Sequence, residues 1–252
     1  MVRYGWLAAM VVGAASLALS AVPEDGPHVE VIGLYIMKPN PKHWQEGTIV
    51  TLKIEATDKQ FVSLDENATK ATAWTDDKGT NLAEKISDWL GMSLDVIKDK
   101  RTALFKISSE AVPAPGAREM ILEATVGIKC GSEEKTVEQK DFALQVGSEL
   151  TVGPAPMKVK TIGEGGGNDK MEVTLKGTTD PEAIKELVFL SADGKVIKAH
   201  VTESGWESRG QIEYTRTYAL AEKVETVTVR VVYFTQMETL TVPLHLKVGV
   251  GF

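Results

Sequence analysis

Thr48-Ile49-Val50-Thr51-Leu52-Lys53-Ile54-Glu55-Ala56 decides the fold class. Ile49, Leu52, Ile54 and Ala56 alternate with Thr51, Lys53 and Glu55, and Val50 is the one extra apolar residue. A period of two puts one set of side chains on a buried face and the other in water, the pattern of a half-buried strand. The stretch is also copied. Thr51-Leu52-Lys53 with Thr57-Asp58 returns as Thr174-Leu175-Lys176 with Thr179-Asp180. The acidic turn Asp77-Lys78-Gly79 returns as Asp193-Gly194-Lys195. The strand Asp141-Phe142-Ala143-Leu144-Gln145-Val146-Gly147 returns as Pro243-Leu244-His245-Leu246-Lys247-Val248-Gly249. Three matches in the same order predict a unit of roughly 100 residues copied in tandem, a normal size for one core-bearing domain.

Outward from this pair, short β-rich runs follow one another between turn residues, as in sandwiches. The first half reads as strands over 29–37, 48–56, 71–75, 102–108, 118–129 and 135–146, with Pro39 and Pro41 stopping the first. The second half reads as strands over 157–162, 171–176, 187–191, 196–201, 212–220, 224–234 and 238–248. Asp193-Gly194 makes a hairpin turn, because this pair tolerates the positive φ that two-residue turns need. Ala221-Glu222-Lys223 and Thr235-Gln236-Met237 read as further joints. One segment departs from β: Leu82, Ile86, Trp89 and Leu90 share a helical face, Asn81 and Glu84 form a capping box, and Gly91 is a stop. The spacing predicts a short helix over 81–91.

The expected architecture is all-β, two tandem antiparallel immunoglobulin-like β-sandwiches with one short helix in the first. The expected bounds are a signal peptide over 1–20, a first sandwich over 28–147, a linker over 148–156 and a second sandwich over 157–252. Gly147, Gly153, Pro154 and Pro156 punctuate the linker, while Leu150-Thr151-Val152 inside it is apolar, which predicts a short, packed joint.

Met1-Val2-Arg3-Tyr4 is a short positive segment, and the uncharged apolar run Trp6 to Leu19 spans 14 residues. Such a run is short for a hydrocarbon layer of about 30 Å and reads as a secretory signal, with cleavage after Ser20. No membrane span is then expected in the mature chain, and the localisation is secreted or periplasmic. The formal charge is −7, with basic residues scattered, so the electrostatic footprint of a nucleic-acid partner is missing. Cys130 is the only cysteine, so an exported domain must be held by its core and not by disulfides.

Ala73-Trp74-Thr75-Asp76-Asp77-Lys78-Gly79, the loop Pro113-Ala114-Pro115-Gly116-Ala117 and Val242-Pro243-Leu244-His245-Leu246 together resemble uncharacterised secreted bacterial proteins built from tandem immunoglobulin-like β-sandwich modules. The resemblance implies architecture only and brings no catalytic residues. The Cys…Trp…Cys pattern of antibody domains is absent.

Motifs that carry chemistry are few. Asp76 to Asn81 has the oxygen density of a calcium loop but lacks the later acids and the closing glutamate, so it reads as a β-turn. Gly163 to Asn168 lacks the Gly-Lys-Ser/Thr of a phosphate loop and reads as a hairpin loop. His28, His43, His200 and His245 have no paired zinc spacing. Gly205 to Gly210 lacks the spacing of a nucleophile elbow. Trp74 is expected in the core and Trp89 on the helix face. Trp44 and Trp206 are expected in polar loops and are the candidate ligand-binding residues, because an exposed loop indole stacks on sugar rings or anchors a protein interface.

The sequence therefore reads as a non-catalytic exported protein, a binding or structural module pair in the periplasm or cell envelope. The alternative is a carbohydrate-binding protein using Trp44 and Trp206. No cofactor and no metal is expected, and the partner is an unknown protein or glycan.

Overall fold

A computed structural model of the chain describes residues 26–37, 47–56, 58–86, 91–97, 99–208 and 212–250. The signal segment 1–20, Trp44 and Trp89 lie outside the described residues. The fold is all-β. Its strands are β1 (His28–Met37), β2 (Gly47–Glu55), β3 (Gln60–Leu64), β4 (Lys70–Asp76), β5 (Met92–Val96), β6 (Thr102–Ser109) and β7 (Glu119–Ala143). Then come β8 (Glu149–Leu150), β9 (Met157–Gly163), β10 (Met171–Gly177), β11 (Ile184–Leu190), β12 (Val196–Ile197), β13 (Ala199–Ser208), β14 (Ile212–Leu220) and β15 (Thr226–Gly249). They form three sheets, ordered β1-β2-β6-β5, β13-β14-β10-β9-β8 and β12-β11-β15-β7-β3, with β4 also paired to β7.

The chain divides into two compact units. Unit 1 holds residues up to Cys130 and returns from Glu238 onward; unit 2 is Gly131–Met237. Each has its own core, as period-two burial requires. In unit 1, Val50, Leu52 and Ile54 of β2 and Ala103, Phe105 and Ile107 of β6 face Trp74, Met120, Leu122, Val126 and Ile128 of the other sheet. Two sheets closing on one apolar layer give a sandwich-like arrangement. In unit 2, Val173 and Leu175 of β10 and Tyr218 and Leu220 of β14 meet Phe189 of β11 and Val227, Val229 and Val231 of β15. The Phe189 and Tyr218 rings meet edge to face, with centroids 5.4 Å apart and planes at 72°.

This division differs from the sequence expectation in one respect that changes everything downstream. The expected turns after Lys129 and at Thr235-Gln236-Met237 are not turns: β7 runs unbroken for 25 residues and β15 for 24. The chain passes from unit 1 to unit 2 inside β7 and returns inside β15. Residues 148–156, expected as a linker, contribute to unit 2, where Leu150 and Ala155 are buried in its core. The two closing segments, expected to complete the unit that precedes each of them, are consequently exchanged. Phe142 and Leu144 enter the core of unit 2, and Leu244, Leu246 and Val248 enter that of unit 1.

The expected helix over 81–91 is absent from its described part. Asn81 and Ile86 make isolated bridges to Thr75 and Ser109, and only Ala83–Lys85 forms a 3-10 turn. The expected capping box does not form: Leu82 holds the N-cap position without a side-chain cap, while Asn81 Oδ1 accepts the Ala83 N–H at 3.1 Å and Asn81 Nδ2 donates to Glu84 Oε1 at 2.9 Å. Leu82 is fully buried and its N–H donates to Trp74 O at 2.7 Å. Tertiary pairing on both flanks thus overrides the local helical spacing. Other local readings match. Gly194, at φ 79°, sits in the turn between the paired β11 and β12, and His245 faces outward on β15 between buried Leu244 and Leu246.

Leu246→Ala is expected to lower unfolding free energy by about 2–5 kcal/mol, the range for an apolar core truncation. Lys247→Ala, next to it, removes an exposed pair with Glu119 and is expected to change stability by less than about 1 kcal/mol. Urea unfolding followed by circular dichroism checks both.

Candidate functional site

Trp206 is 66% exposed, and it lies not in a loop but on β13, an edge strand. β13 pairs antiparallel with β14, putting Trp206 opposite Tyr214, Ser204 opposite Arg216, and Val201 opposite Tyr218. The register shifts between Val201 and Glu203, a bulge that keeps Val201 and Trp206 on one face although their numbers differ in parity. Sequence reading ended this strand at Val201, because the bulge and Ser204-Gly205 erase the alternation.

β14 explains how an aromatic pair reaches solvent. Ile212, Tyr214, Arg216, Tyr218 and Leu220 alternate onto the face that points into the core of unit 2. Leu220 and Tyr218 are buried, Arg216 and Tyr214 are half-buried, and Ile212 is exposed. The inward row therefore runs out of the core and continues as an open apolar strip of Trp206, Tyr214 and Ile212. Arg216 marks the transition, its Nη2 donating to Pro181 O at 3.4 Å. The opposite face of the same strands is ionic: Glu213 accepts from Lys176 at 2.9 Å and pairs with Lys160 at 3.0 Å. The hydrogen bond from Lys176, then that from Lys160, holds the Glu213 carboxyl below its ordinary range.

Directly opposed side chains on a sheet lie about 4.5–5.5 Å apart at Cβ, so the indole of Trp206 and the phenol of Tyr214 share one local surface. Ser204 and Arg216 add a hydroxyl and a guanidinium on that face. Flat apolar rings beside hydrogen-bond donors suit a ligand with both C–H and hydroxyl faces, or an amphipathic protein segment. Tyr214, Ile212 and Arg216 were not singled out in the sequence. Only the β13–β14 register brings them to Trp206.

The remaining candidates resolve into structure. Trp74 is fully buried, as expected, and its Nε1 has no hydrogen-bond partner among the described residues. His28 and His200 are exposed, and His200 Nε2 stands 3.8 Å from Asp169 Oδ2. Among the described residues, no group of three or more His, Cys, Asp or Glu is placed to hold a metal ion. No described helix is long and apolar enough to cross a membrane.

The carboxylates of the Asp76 turn are taken up by the backbone. Asp76 Oδ1 accepts from the N–H groups of Lys78 at 2.9 Å and Thr80 at 2.8 Å, and Oδ2 from that of Ala114 at 2.7 Å. Asp77 Oδ1 accepts from the Arg118 N–H at 2.9 Å. The motif is a turn pinned to the loop 113–117. Burial raises the Asp76 carboxyl, but the Ala114, Thr80 and Lys78 donors outweigh it and the net displacement is downward. Cys130 is fully buried, and desolvation pushes its thiol up to about 11 despite the opposing pull of Lys59. It is an inert structural thiol.

No protein-family model matches the chain, and no curated protein or solved structure shows significant similarity to it.

Two outcomes follow from these groups. Asp76→Ala leaves three backbone donors without their acceptor and is expected to cost about 1–3 kcal/mol at neutral pH. The folded carboxyl titrates below its unfolded value near 3.9, so the contribution is full above that pH and is lost as pH falls through the folded value. Unfolding free energies of wild type and variant should therefore converge in acid. Cys130, fully buried and with its thiol pushed up to about 11, is expected to react with a disulfide reagent only after unfolding. Colorimetric thiol titration with and without guanidinium checks it.

Proposed function

We propose that this chain is an exported, non-catalytic binding protein, built from two immunoglobulin-like sandwiches with the second inserted within the first, that engages its ligand through the Trp206 end of unit 2. The observation that carries the reading is the 66% exposure of Trp206 on an ordered strand, opposite Tyr214 and next to exposed Ile212. A large indole held in water by its own sheet loses the burial it gains elsewhere in the fold. Binding restores that burial at low conformational cost, since an aromatic ring on a strand has few rotamers to lose. Export is supported by the short positive start and the apolar run to Leu19.

A carbohydrate ligand is the second reading, and the placement of Ser204 and Arg216 on the aromatic face favours it. Pyranose rings offer an apolar C–H face for stacking and hydroxyls for flanking donors. Trp44, the other candidate, lies outside the described residues and adds nothing to this geometry.

Tryptophan fluorescence titration against a panel of envelope glycans tests the proposal, alongside cross-linking capture of envelope proteins. Trp206→Ala is expected to weaken binding about tenfold or more, as for an aromatic anchor, with an unchanged circular dichroism spectrum. A ligand bound equally well by the Trp206→Ala protein removes this surface from consideration. A panel without quenching, together with Trp206-dependent capture of a protein, selects the protein-partner reading over the glycan one.

A further inference from the structure

Unit 1 is completed by a segment that comes from the other side of an inserted unit. Residues 131–237 separate its first part from Glu238 onward. Within unit 1, Val250 N–H donates to Arg118 O at 2.7 Å, and Lys247 Nζ pairs with Glu119 at 2.8 Å, so the end of β15 lies antiparallel to the start of β7. Val242, Leu244, Leu246, Val248 and Val250 enter the core between the sheets. At the near end of the segment, Glu238 pairs with Lys59 at 3.0 Å, and Thr239 Oγ1 donates to Asp65 Oδ2 at 2.7 Å. Pro243 lies beyond Tyr233, where the pairing of β11 with β15 stops, so among the described strands β11 asks no ladder hydrogen bond of it. Without this segment, residues 119–130 are a bare sheet edge, and five apolar positions of the core are empty.

Unit 2 is different, because its strands are contiguous in the chain and, among the described residues, its core draws on those between Val137 and Tyr233. It also gathers the two crossing points. A Cβ on Gly131 would stand 2.3 Å from the Phe234 ring, so the glycine lets the ring lie on the backbone, and Thr235 Oγ1 donates to Glu133 O at 2.9 Å. Closing a loop of about 100 residues is less probable than closing one of about 10 by the three-halves power of length, on the order of 30-fold.

We propose that unit 1 is a strand acceptor. Its β7 edge over residues 119–130 is a binding site for an extended segment with an apolar side chain at every second position, and the occupant is residues 238–250, delivered by folded unit 2. The dependence runs one way: unit 1 requires unit 2, and unit 2 does not require unit 1. This inference is independent of the Trp206 surface.

Hydrogen exchange on the full chain tests it. In Leu244→Asp/Leu246→Asp protein, amide protection over β2, β6 and residues 119–128 is expected to fall about tenfold or more, as in a local opening, while β10 and β14 keep theirs. A synthetic peptide of residues 238–250 is expected to bind this variant at one to one and restore protection in unit 1, and not to bind wild type. Phe189→Ala, in the core of unit 2, is expected to lower protection in both units. If the double variant is insoluble, wild type refolded from urea with excess labelled peptide gives the same readout, a peptide retained on gel filtration. Unchanged protection of unit 1 in the double variant, loss of unit 2 with it, or failure of the peptide to bind in either format overturns the proposal.

Discussion

The pairing of β7 with β15 is the constraint on which the rest of the structure depends. β15 is apolar and alternating at its two ends and solvated in the middle, whereas β7 is apolar and alternating at its start, solvated from Glu133, and returns to a core at Phe142. In β7 the buried residues are Met120 to Cys130 in alternation and then Phe142, with 133–136 exposed between them. In β15 they are Val227, Val229 and Val231, then Val242, Leu244, Leu246 and Val248, with 235–239 exposed. Backbone ladders are indifferent to side-chain polarity, so two strands stay paired through a stretch with nothing to bury. Each thereby serves two cores. The exchange of closing segments follows from that, as does the discontinuity of unit 1.

The same logic of a strand outrunning its core produces the candidate binding surface. β14 keeps its alternation from Leu220 to Ile212, but the apolar layer it faces ends near Arg216. Beyond that point an inward-type row has nothing inside to meet, and β13 adds Trp206 to it. The exposed aromatic strip is thus an extension of the core pattern past its limit. The acidic turn at Asp76 shows the opposite economy, since both Asp76 oxygens and Asp77 Oδ1 are used to fix neighbouring backbone.

Much of this was readable in the residues. Period-two runs place β2, β6, β9, β10 and β14 within a residue or two, and Asp193-Gly194 marks its turn. Trp74 belongs in the core because it lies within an apolar-lined strand. Trp206 was legible as a candidate by its polar neighbours, although its place on a strand was not. The helical spacing of Leu82 and Ile86 was a true local signal that lost to flanking bridges and to burial of Leu82. Tyr214 and Arg216 carried no sign of their role, because cross-strand partners are set by a bulge that has no composition signature.

The sequence by itself determined that alternate side chains are buried, that two apolar interiors exist, and that one thiol stands alone. It determined this because hydrophobic periodicity reports burial directly, residue by residue. Only the tertiary structure decided which segment closes which interior. Ser132-Glu133-Glu134 and Thr235-Gln236-Met237 read as turns because polar residues without periodicity are what turns look like. They are strands because β7 and β15 are neighbours in one sheet, where Thr235 Oγ1 donates to Glu133 O at 2.9 Å, and pairing between solvated strands leaves no pattern in either one alone.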